Sequence, residues 1–433
     1  MKNLIKLLSA VLVFLLALCL VLPQTQPFPV NPSDPTEQTK EMASTTVSTE
    51  TSAATEIPTQ TLFPTETSEP ETEAPTETQA PTETQAPTAP AATTYVISFA
   101  GDCTFADNLN TPPETGGTFT KVVGDNFAYP FALVKDYFAN DDLSLINLEF
   151  AFTTYDPTEE EIKHFALHEK TFRFRADSKY TQVLHEGAIE CVSAANNHSK
   201  DFANPGHEET KAVLTAAGIR FATWGSNCLY KTESGLTVGI YAYNSSVTAS
   251  NMQRNIERLR KAGAEIVICS LHWGDERTYY PTAKQQELGH LAIDYGADIV
   301  FGHHPHVLQP IEYYNGGIIM YSMGNFSFGG NRNPSDKDTA IIQQTIQRWE
   351  DGSVSLGETL IIPCSISSAK SGNNYQPRPY AETEEGYRRV LSKLDWTYAN
   401  QWKIEYEATM PTETTPPTEN ILPTETQAPP ETA

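Results

Sequence analysis

The sequence contains few cysteines, and none of them form a Cys-x-x-Cys motif. Of the six, Cys19 lies in an apolar N-terminal run, and the other five are widely spaced. An odd, scattered set is not the disulfide framework of a small secreted domain, and it argues against a cysteine-ligated zinc site. Because Cys103, Cys191 and Cys269 lie in or beside apolar runs, we expect them to be small buried hydrophobic residues.

Basic residues are also scarce. The chain has 29 Lys and Arg against 54 Asp and Glu, which gives a formal net charge of −25. Nucleic acids and anionic lipid surfaces are bound through basic patches, so the charge argues against nucleic acid or such a surface as a partner. An acidic chain is compatible with an exported protein, and with bound cations that offset clustered acidic side chains locally.

Residues 1–22 predict an export segment. Lys2 and Lys6 supply positive charge, and residues 7–22 are almost entirely apolar. No Ala-x-Ala cleavage site precedes Pro23, and the apolar length is near the lower limit for a membrane-spanning helix. A cleaved signal peptide and a retained N-terminal membrane anchor therefore both remain open. Either one predicts an exported protein, outside the cell or at its surface.

Two segments are rich in Thr, Pro and Glu and poor in apolar residues. Residues 23–93 contain the repeated hexapeptide Ala-Pro-Thr-Glu-Thr-Gln at 74–79 and 80–85, and similar words return in residues 408–433. Such composition cannot bury enough apolar surface to offset the entropy lost on ordering. We predict a disordered stalk and a disordered tail on either side of one folded domain, residues 94–407.

Within that domain, short apolar runs bounded by polar turns alternate with helical patterns. The predicted strands are 95–100, 143–148, 189–195, 219–223, 237–243, 266–271, 299–301 and 317–322, followed by 339–347 and 354–363. The predicted helices are 205–217, 252–262 and 282–295, each followed by Gly, and a last helix at 382–402. Alternating strands and helices predict an α/β fold.

A cluster of three histidines follows the predicted strand 299–301. His303, His304 and His306 lie within four positions, and neutral imidazole is a common metal ligand. Pro305 favours an extended backbone here, and alternation along such a backbone places His304 and His306 on one side. We therefore predict that these two are ligands and that His303 points away from them.

Residues of metal-binding type also follow other predicted strands, at the end of the sheet where open α/β folds bind ligands. They are Asp102, Glu149, Asn197 with His198, and His272, in addition to the histidine cluster. Carboxylates, an amide and imidazoles together suit Zn, Mn or Fe. The set exceeds the needs of one tetrahedral ion, which suggests two ions that share a carboxylate.

Six segments in this order resemble a known set of motifs. They are Phe-Ala-Gly-Asp at 99–102, Asn-Leu-Glu at 147–149, Ala-Asn-Asn-His at 195–198, His-Trp-Gly-Asp-Glu at 272–276, Gly-His-His-Pro-His-Val-Leu-Gln at 302–309 and Tyr-Ser-Met-Gly-Asn-Phe at 321–326. Together they resemble the CapA family of capsule-synthesis and poly-γ-glutamate-associated proteins, over a motif core of about 95–330. The resemblance implies a calcineurin-like metallophosphatase fold, a four-layer α/β/β/α sandwich.

The resemblance also implies roles for individual residues. The implied metal ligands are Asp102, Glu149, Asn197, His272, His304 and His306, with Glu149 as the bridging carboxylate. His198 would be the general acid or a donor to a developing oxyanion. Asn325, Glu276 and Asn147 would lie beside the ligands or face the substrate.

Two positions depart from the expected patterns. Thr104 stands where the wider metallophosphatase superfamily has a histidine in its first motif, Asp-x-His, so one ion and two ions both remain open. Arg277 stands where CapA-like chains usually have an aromatic residue, which bears on substrate contacts and leaves the predicted ligands unchanged.

The functional hypothesis is a surface-exposed hydrolase that uses water activated by one or two divalent ions. It would act in biosynthesis, release or anchoring of an anionic polymer such as poly-γ-glutamate, with that polymer or capsule-assembly membrane proteins as partners. The alternative is a non-catalytic, metal-stabilised accessory protein that binds the polymer or an assembly partner. His198 favours the enzyme, because a scaffold does not need that side chain.

Overall fold

Two β-sheets stacked face to face form the centre of the fold in this computed structural model, which describes residues 92–109 and 118–398. The strands are β1 (Ala92–Thr104), β2 (Asp107–Asn108), β3 (Leu143–Leu148), β4 (Ala151–Phe152), β5 (Phe174–Ala176), β6 (Cys191–Ser193), β7 (Arg220–Ala222), β8 (Cys228–Lys231), β9 (Thr237–Asn244), β10 (Ile266–His272), β11 (Ile299–His303), β12 (Leu308–Tyr314), β13 (Gly317–Met323), β14 (Asn325–Phe328), β15 (Asp338–Trp349), β16 (Val354–Ser365) and β17 (Arg378–Pro379). The helices are α1 (Phe119–Val123), α2 (Lys135–Ala139), α3 (Glu159–His164), α4 (Thr181–Glu186), α5 (Ala203–Ala216), α6 (Ala249–Lys261), α7 (Ala283–Asp294) and α8 (Glu385–Leu394), with 3-10 turns at Tyr129–Phe131 and Ser178–Tyr180.

Each large sheet has a parallel centre. The first follows the order β17-β16-β15-β1-β3-β6-β7, and β14 also pairs with β1. Its strands β1, β3, β6 and β7 are parallel to one another. The second follows the order β12-β13-β11-β10-β9-β8, in which β9, β10, β11 and β13 are parallel. A small third sheet joins β2, β5 and β4.

The inner faces of the two large sheets share one hydrophobic core. Phe99 and Leu145 of the first sheet pack in the same cluster as Ile268 and Phe301 of the second. The rings of Phe99 and Phe301 are 5.0 Å apart between centroids. Because side chains alternate along a strand, the neighbouring residues point to the outer faces, where helices cover them.

Helices cover both outer faces. On the first sheet, Ile146 packs with Leu184 of α4 and Leu214 of α5. On the second, Val300 packs with Ile256 of α6 and Leu288 of α7. This gives the four layers α/β/β/α expected of the metallophosphatase fold. The five cysteines within the described residues are free and buried, as was predicted for Cys103, Cys191 and Cys269.

The described elements differ from the predicted ones mainly at the C-terminus and in short segments. The last helix was predicted at 382–402, but α8 covers only Glu385–Leu394 and ends where Asp395 adopts an extended backbone. Helices α1 to α4 were not predicted, because five or six residues are too few to show helical periodicity.

The predicted export segment, most of the stalk and the predicted tail lie outside the described residues, so those boundaries stay predictions. Within the described ranges, no helix combines the length and the apolar character that a membrane crossing requires.

Candidate metal centre

The polar residues that follow the strands meet at one edge of the two sheets. Asp102 lies near the end of β1, Asn147 and Glu149 lie at the end of β3, His198 lies after β6, and His272 and His303 end β10 and β11. Gly101 permits a close backbone approach at this edge, because a Cβ there would lie 2.0 Å from the carbonyl oxygen of Gly324. A hydrogen bond of 2.8 Å from Asp102 N to Gly324 O holds the two backbone segments together.

Glu149 lies at the centre of this group. Its Oε1 atom is 3.8 Å from Nε2 of His272, 3.8 Å from Nε2 of His306 and 3.9 Å from Nε2 of His198. Oε1 of Glu149 and Nε2 of His272 are buried and have no hydrogen-bond partner. Buried polar atoms are ordinarily paired, so this convergence of unpaired carboxylate and imidazole atoms fits a divalent cation.

Asp102 is the second buried carboxylate. Its Oδ1 accepts a hydrogen bond of 2.9 Å from Asn147 Nδ2 and lies 3.2 Å from His303 Nδ1. Its Oδ2 lies 3.3 Å from His306 Nδ1. Burial alone would raise the pKa of Asp102, but hydrogen bonds and positive charge from His303 and His306 outweigh burial and hold that pKa well below its ordinary value.

The pKa values of three other groups in the centre are also shifted: those of Glu149 and His306 are raised, and that of His272 is lowered. Burial, and then repulsion from Asp102, raises the pKa of Glu149 well above its ordinary value. Burial would lower the pKa of His306, but the carboxylates of Glu149 and Asp102 raise it to about 10. Burial and the neighbouring His304 lower the pKa of His272 well below its ordinary value. Because imidazole binds metal in its neutral form and a carboxyl group in its ionised form, a bound ion would displace the protons that the raised pKa values favour on His306 and Glu149.

The backbone of the histidine cluster is not extended, so that prediction was wrong. Strand β11 continues through His303, and then His304 and His306 adopt left-handed conformations with φ of 98° and 57°. The segment is held by neighbouring loops: Trp273 N donates to His303 O at 3.0 Å, and Arg277 N donates to Pro305 O at 2.8 Å. These long-range contacts fix a backbone that local alternation does not describe.

This backbone changes the position expected for His303. Its ring is fully buried and lies against Asp102, so it does not point away from the site. The rings of His304 and His306 are still near each other, at 6.0 Å between centroids, and His304 lies 4.7 Å from the ring of His272.

The described residues contain two groups that could hold a metal ion, and His306 belongs to both. One group is Asp102, Glu149 and His306, and the other is Glu276, His304 and His306. Within each group the ligand atoms lie within 4.8 Å of one another. Glu276 was predicted only to lie beside the ligands or face the substrate, but here its carboxylate can be a ligand itself.

Two residues that were not predicted organise the position of His198. Nδ1 of His198 lies 2.8 Å from Oδ2 of the buried Asp201. Asn196 accepts a hydrogen bond of 3.1 Å from His198 N and donates one of 3.1 Å to Asn147 Oδ1. The His-x-x-Asp spacing is the sequence signal for Asp201, because it places the carboxylate one tight turn after the imidazole.

The remaining predicted residues differ in their surroundings. Asn325 Oδ1 lies 2.9 Å from His306 Nδ1, and Asn147 Nδ2 lies 3.3 Å from Glu149 Oε2, so both amides touch members of the centre. Asn197 is exposed, and its backbone oxygen accepts a hydrogen bond of 2.7 Å from Lys170 Nζ. Its role as a ligand therefore stays a prediction.

Two aromatic rings line one side of the centre. The ring of Phe174 is 4.7 Å from that of His198, and the ring of Phe328 is 5.1 Å from that of His306. The two phenylalanine rings are themselves 6.0 Å apart. The two rings therefore give this side of the centre an apolar surface.

Comparison with known proteins gives a consistent set of similarities. A family model for "Bacterial capsule synthesis protein PGA_cap" matches residues 96–330. The chain is 28% identical over 242 residues to the capsule biosynthesis protein CapA of Bacillus anthracis, covering 50% of this chain and 57% of that protein. It is 26% identical over 267 residues to the PGA biosynthesis protein CapA of Bacillus subtilis, covering 56% and 67%.

A mycobacterial protein is a third relative. The chain is 31% identical over 216 residues to a probable polyglutamine synthesis accessory protein of Mycobacterium tuberculosis, covering 42% of this chain and 55% of that protein. The matched part therefore spans between about half and two thirds of the length of these three relatives.

Proposed function

This chain belongs to the bacterial capsule synthesis protein family PGA_cap, whose model matches residues 96–330 of its 433, and we propose that it is a metal-dependent hydrolase acting on an anionic capsule polymer. The polymer class follows from relatives named for capsule or PGA biosynthesis. The reaction would serve synthesis, release or anchoring of that polymer.

One observation carries the proposal. Oε1 of Glu149 is buried without a hydrogen-bond partner, and Nε2 atoms of His198, His272 and His306 surround it at 3.8–3.9 Å. Burying one ionised carboxylate is unfavourable by roughly several kcal/mol unless a cation or a hydrogen-bond donor compensates its charge. An unpaired carboxylate oxygen is therefore unusual in a purely structural core. The arrangement is explained by a resident cation.

One or two ions of Zn, Mn or Fe suit this mixture of ligands. Asp102, Glu149, His304 and His306 would hold them, with Glu276 as a further carboxylate for the second position. His272, whose Nε2 lies 3.8 Å from Glu149 Oε1, and Asn197 complete the proposed ligands. A bound divalent cation supplies Lewis acidity, which activates water and stabilises developing negative charge.

The residues of the chain supply proton transfer and orientation. Asp201 accepts the Nδ1 proton of His198, which leaves Nε2 directed toward Glu149 and toward a substrate at the centre. His198 can therefore exchange a proton with the leaving group at Nε2. Phe174 packs on the same imidazole and, with Asp201, holds it in one orientation.

The location and partners follow the same proposal. The export segment predicted at residues 1–22 would carry the domain to the outside of the cell, either released or held at the membrane. A net charge of −25 repels an anionic polymer at long range, so binding has to depend on cations concentrated at the site. Capsule-assembly membrane proteins are the alternative partners.

The test combines metal analysis with hydrolysis assays. Protein purified without chelator should contain Zn, Mn or Fe by elemental analysis, and it should hydrolyse at least one of a phosphodiester, a phosphomonoester and a γ-glutamyl amide. His198→Ala should lose at least 100-fold in rate and keep its metal. His168→Ala, at an exposed side chain, is the matched control and should match wild type.

The contrary outcomes are distinct. Bound metal with no activity on any of the three substrates would replace the hydrolase by the non-catalytic accessory protein, in line with the name of the mycobacterial relative. Protein without any bound metal would overturn both functions.

A further inference from the structure

Two of the cysteines within the described residues face each other across the interior of the sandwich. Cys191 lies in β6 of the first sheet, and Cys228 lies in β8 of the second. Both belong to the buried cluster between the sheets, whereas their neighbours Val192 and Leu229 pack in the clusters on the outer faces. Because side chains alternate along a strand, the two thiols point inward from opposite sheets.

The two thiols are also in contact. Both are free in this structure, and a hydrogen bond joins the thiol of Cys191 to that of Cys228. The two residues are 0% and 3% exposed. By contrast, the thiol of Cys364 donates to the carbonyl oxygen of Ile362 at 3.3 Å, and Cys269 packs in the outer cluster of the second sheet. Direct contact between two inward-facing thiols is the arrangement from which a disulfide can form.

The surroundings of the two thiols differ. The hydrogen bond from Cys191, against the effect of burial, and the charge of Arg220 lower the pKa of Cys228. Burial, and then the same hydrogen bond, raises the pKa of Cys191 well above its ordinary value. Arg220 lies beside Cys191 in the register of β6 and β7, and its Nη2 donates to Leu229 O at 3.1 Å. The thiolate is the reactive form of cysteine, so Cys228 is the better nucleophile.

The position of β8 gives a reagent access to Cys228. This strand is at the edge of the second sheet and pairs along one side with β9. Its residues after Cys228 are half-buried or exposed. Segments with little buried surface open locally without unfolding of the whole domain, and such an opening uncovers Cys228.

We propose that Cys191 and Cys228 form a disulfide that links the two sheets, with a low-molecular-weight disulfide as the oxidant. The Cys228 thiolate attacks one sulfur of the oxidant and displaces a thiolate, which takes up the proton that Cys228 released. Sγ of Cys191 then attacks Sγ of Cys228 and displaces the second thiolate, which takes up the proton of Cys191. The two protein thiols are oxidised, and the oxidant is reduced to two thiols.

The disulfide joins parts of the chain that hold different sides of the metal centre. Strand β6 leads into the turn that carries His198, and β10 of the second sheet ends at His272. A cross-link between the sheets restricts the unfolded chain and stabilises the folded domain. Disulfides persist outside the reducing cytosol, where the predicted export segment would carry this domain. The inference does not depend on the proposed hydrolase activity.

The first test maps the bond. Reduced full-length protein is incubated with oxidised glutathione, and a second sample is refolded from urea with oxidised and reduced glutathione. After denaturation in acid, alkylation and digestion, mass spectrometry should find the peptides of Cys191 and Cys228 linked in at least one sample. Cys103, Cys269 and Cys364 should be alkylated. Absence of the linked peptides from both samples, or pairing of either cysteine with another one, would overturn the proposal.

The second test measures stability within each protein, so that any effect of the substitution itself cancels. Oxidation should raise the Tm of wild type by about 5 °C. Cys269→Ala, which removes a buried thiol from β10, should keep this increase, whereas Cys228→Ala should lose it. Equal Tm values for oxidised and reduced wild type, or a full increase in Cys228→Ala, would contradict a link between the sheets through Cys228.

The third test identifies the thiol that reacts first. With oxidised glutathione, Cys191→Ala should form a mixed disulfide at Cys228, whereas Cys228→Ala should leave Cys191 as a free thiol. Mass spectrometry of the intact proteins distinguishes the two results. Equal modification of both variants, or modification at Cys191 alone, would overturn the proposed order of attack.

Discussion

Nδ1 of His198 and Oδ2 of Asp201 lie 2.8 Å apart, and both side chains are buried. Oδ2 of Asp201 also accepts a hydrogen bond of 2.9 Å from Phe174 N, and Oδ1 accepts one of 2.6 Å from Lys170 Nζ. Asp201 is therefore held by several donors, and in the proposed function it would act only through His198, as a positioning residue.

The first prediction concerns Asp201→Asn. The amide keeps the size of the side chain but removes the charge that fixes the orientation and tautomer of His198. We expect a loss of about 10- to 100-fold in kcat with metal content unchanged. The measurement is steady-state kinetics on whichever ester or amide wild type hydrolyses best.

A double-mutant cycle separates positioning from general stability. In a His198→Ala background, Asp201→Asn should change the residual rate less than about 2-fold, since the group that it positions is absent. An equal loss in both backgrounds would show that Asp201 acts by some other route.

The second prediction concerns metal stoichiometry. Glu276 shares one candidate group with His304 and His306, whereas Asp102 and Glu149 share the other group with His306. Glu276→Gln should lose one of two metal equivalents, and His306→Asn should lose both. Elemental analysis after dialysis against buffered metal checks this, with exposed Glu208→Gln as the control. Two equivalents retained in Glu276→Gln would remove Glu276 from the ligands.

The third prediction concerns the metal-free protein. The folded pKa of Glu149 is raised by burial and by Asp102, so its contribution to stability is present at low pH and is lost as pH rises through that folded value. Glu149→Gln should therefore be more stable than wild type at pH 8 when a chelator is present. Added metal should stabilise wild type and have little effect on the variant.

Urea unfolding with and without chelator measures these differences. A metal-free Glu149→Gln that is less stable than wild type at pH 8 would contradict the assignment of Glu149 as an uncompensated buried acid.

The fourth prediction concerns acid stability at a site away from the metal centre. Burial, and then the charge of Lys211, lowers the pKa of His207 from 6.5 to about 4. The unfolded chain takes up this proton below about pH 6.5 and the folded protein does not, so stability is lost as pH falls from about 6.5 toward 4. The loss amounts to about 3 kcal/mol over that interval.

His207→Gln removes this titration and can keep a hydrogen bond to Thr223 Oγ1, which lies 3.3 Å from His207 Nε2. The difference in unfolding free energy between pH 7 and pH 4.5 should therefore be smaller in the variant than in wild type. His168→Gln, at an exposed position, should keep the full wild-type difference. The same difference in unfolding free energy between pH 7 and pH 4.5 in all three proteins would show that His207 does not cause the loss of stability at low pH.

The fifth prediction concerns Gly302, directly before the histidines. A Cβ at this position would lie 2.1 Å from the carbonyl oxygen of Tyr321 and 2.6 Å from that of Met320, both of them backbone atoms. Gly302→Ala must push β11 away from β13 and should destabilise the protein by about 3 kcal/mol or more, with loss of metal.

Gly218→Ala is the contrasting variant. Gly218 has φ of +75° but no neighbour within 4 Å of a built Cβ, so alanine there meets only the backbone penalty of about 1–2 kcal/mol. Urea unfolding should separate the two. Equal losses of unfolding free energy in Gly302→Ala and Gly218→Ala would indicate that β11 and β13 can move apart without destabilising the protein.

Much of the fold is visible in the sequence because its strands are short apolar runs with polar ends. Strand β3 has the predicted bounds 143–148, and the predicted helix at 282–295 differs from α7 only by its capping residues. These segments are determined by local pattern. Helix α3, with six residues and a capping box at Thr158, has too little periodicity to be recognised among polar residues.

The site was predictable in composition but not in detail. Residue types at strand ends indicated the carboxylates and imidazoles that converge, because parallel strands end at one edge. The left-handed backbone of His304 and His306 depends on hydrogen bonds from Trp273 and Arg277, which are more than 25 residues away in sequence. The alternation of polar and apolar residues along one segment therefore could not predict this backbone conformation.

Strand β1 has a mechanical consequence. Residues 92–100 pair antiparallel with β15 in an unbroken register, from Ala92 opposite Trp349 to Ala100 opposite Ile341. If the predicted export segment is retained as a membrane anchor, a pulling force on the domain acts along β1. That force loads all the β1–β15 hydrogen bonds in shear at the same time. Rupture then requires many bonds to break together, and forced unfolding is governed by that rate. Because Asp102 is on the same strand, the metal centre would keep its geometry under tension until the whole strand yields.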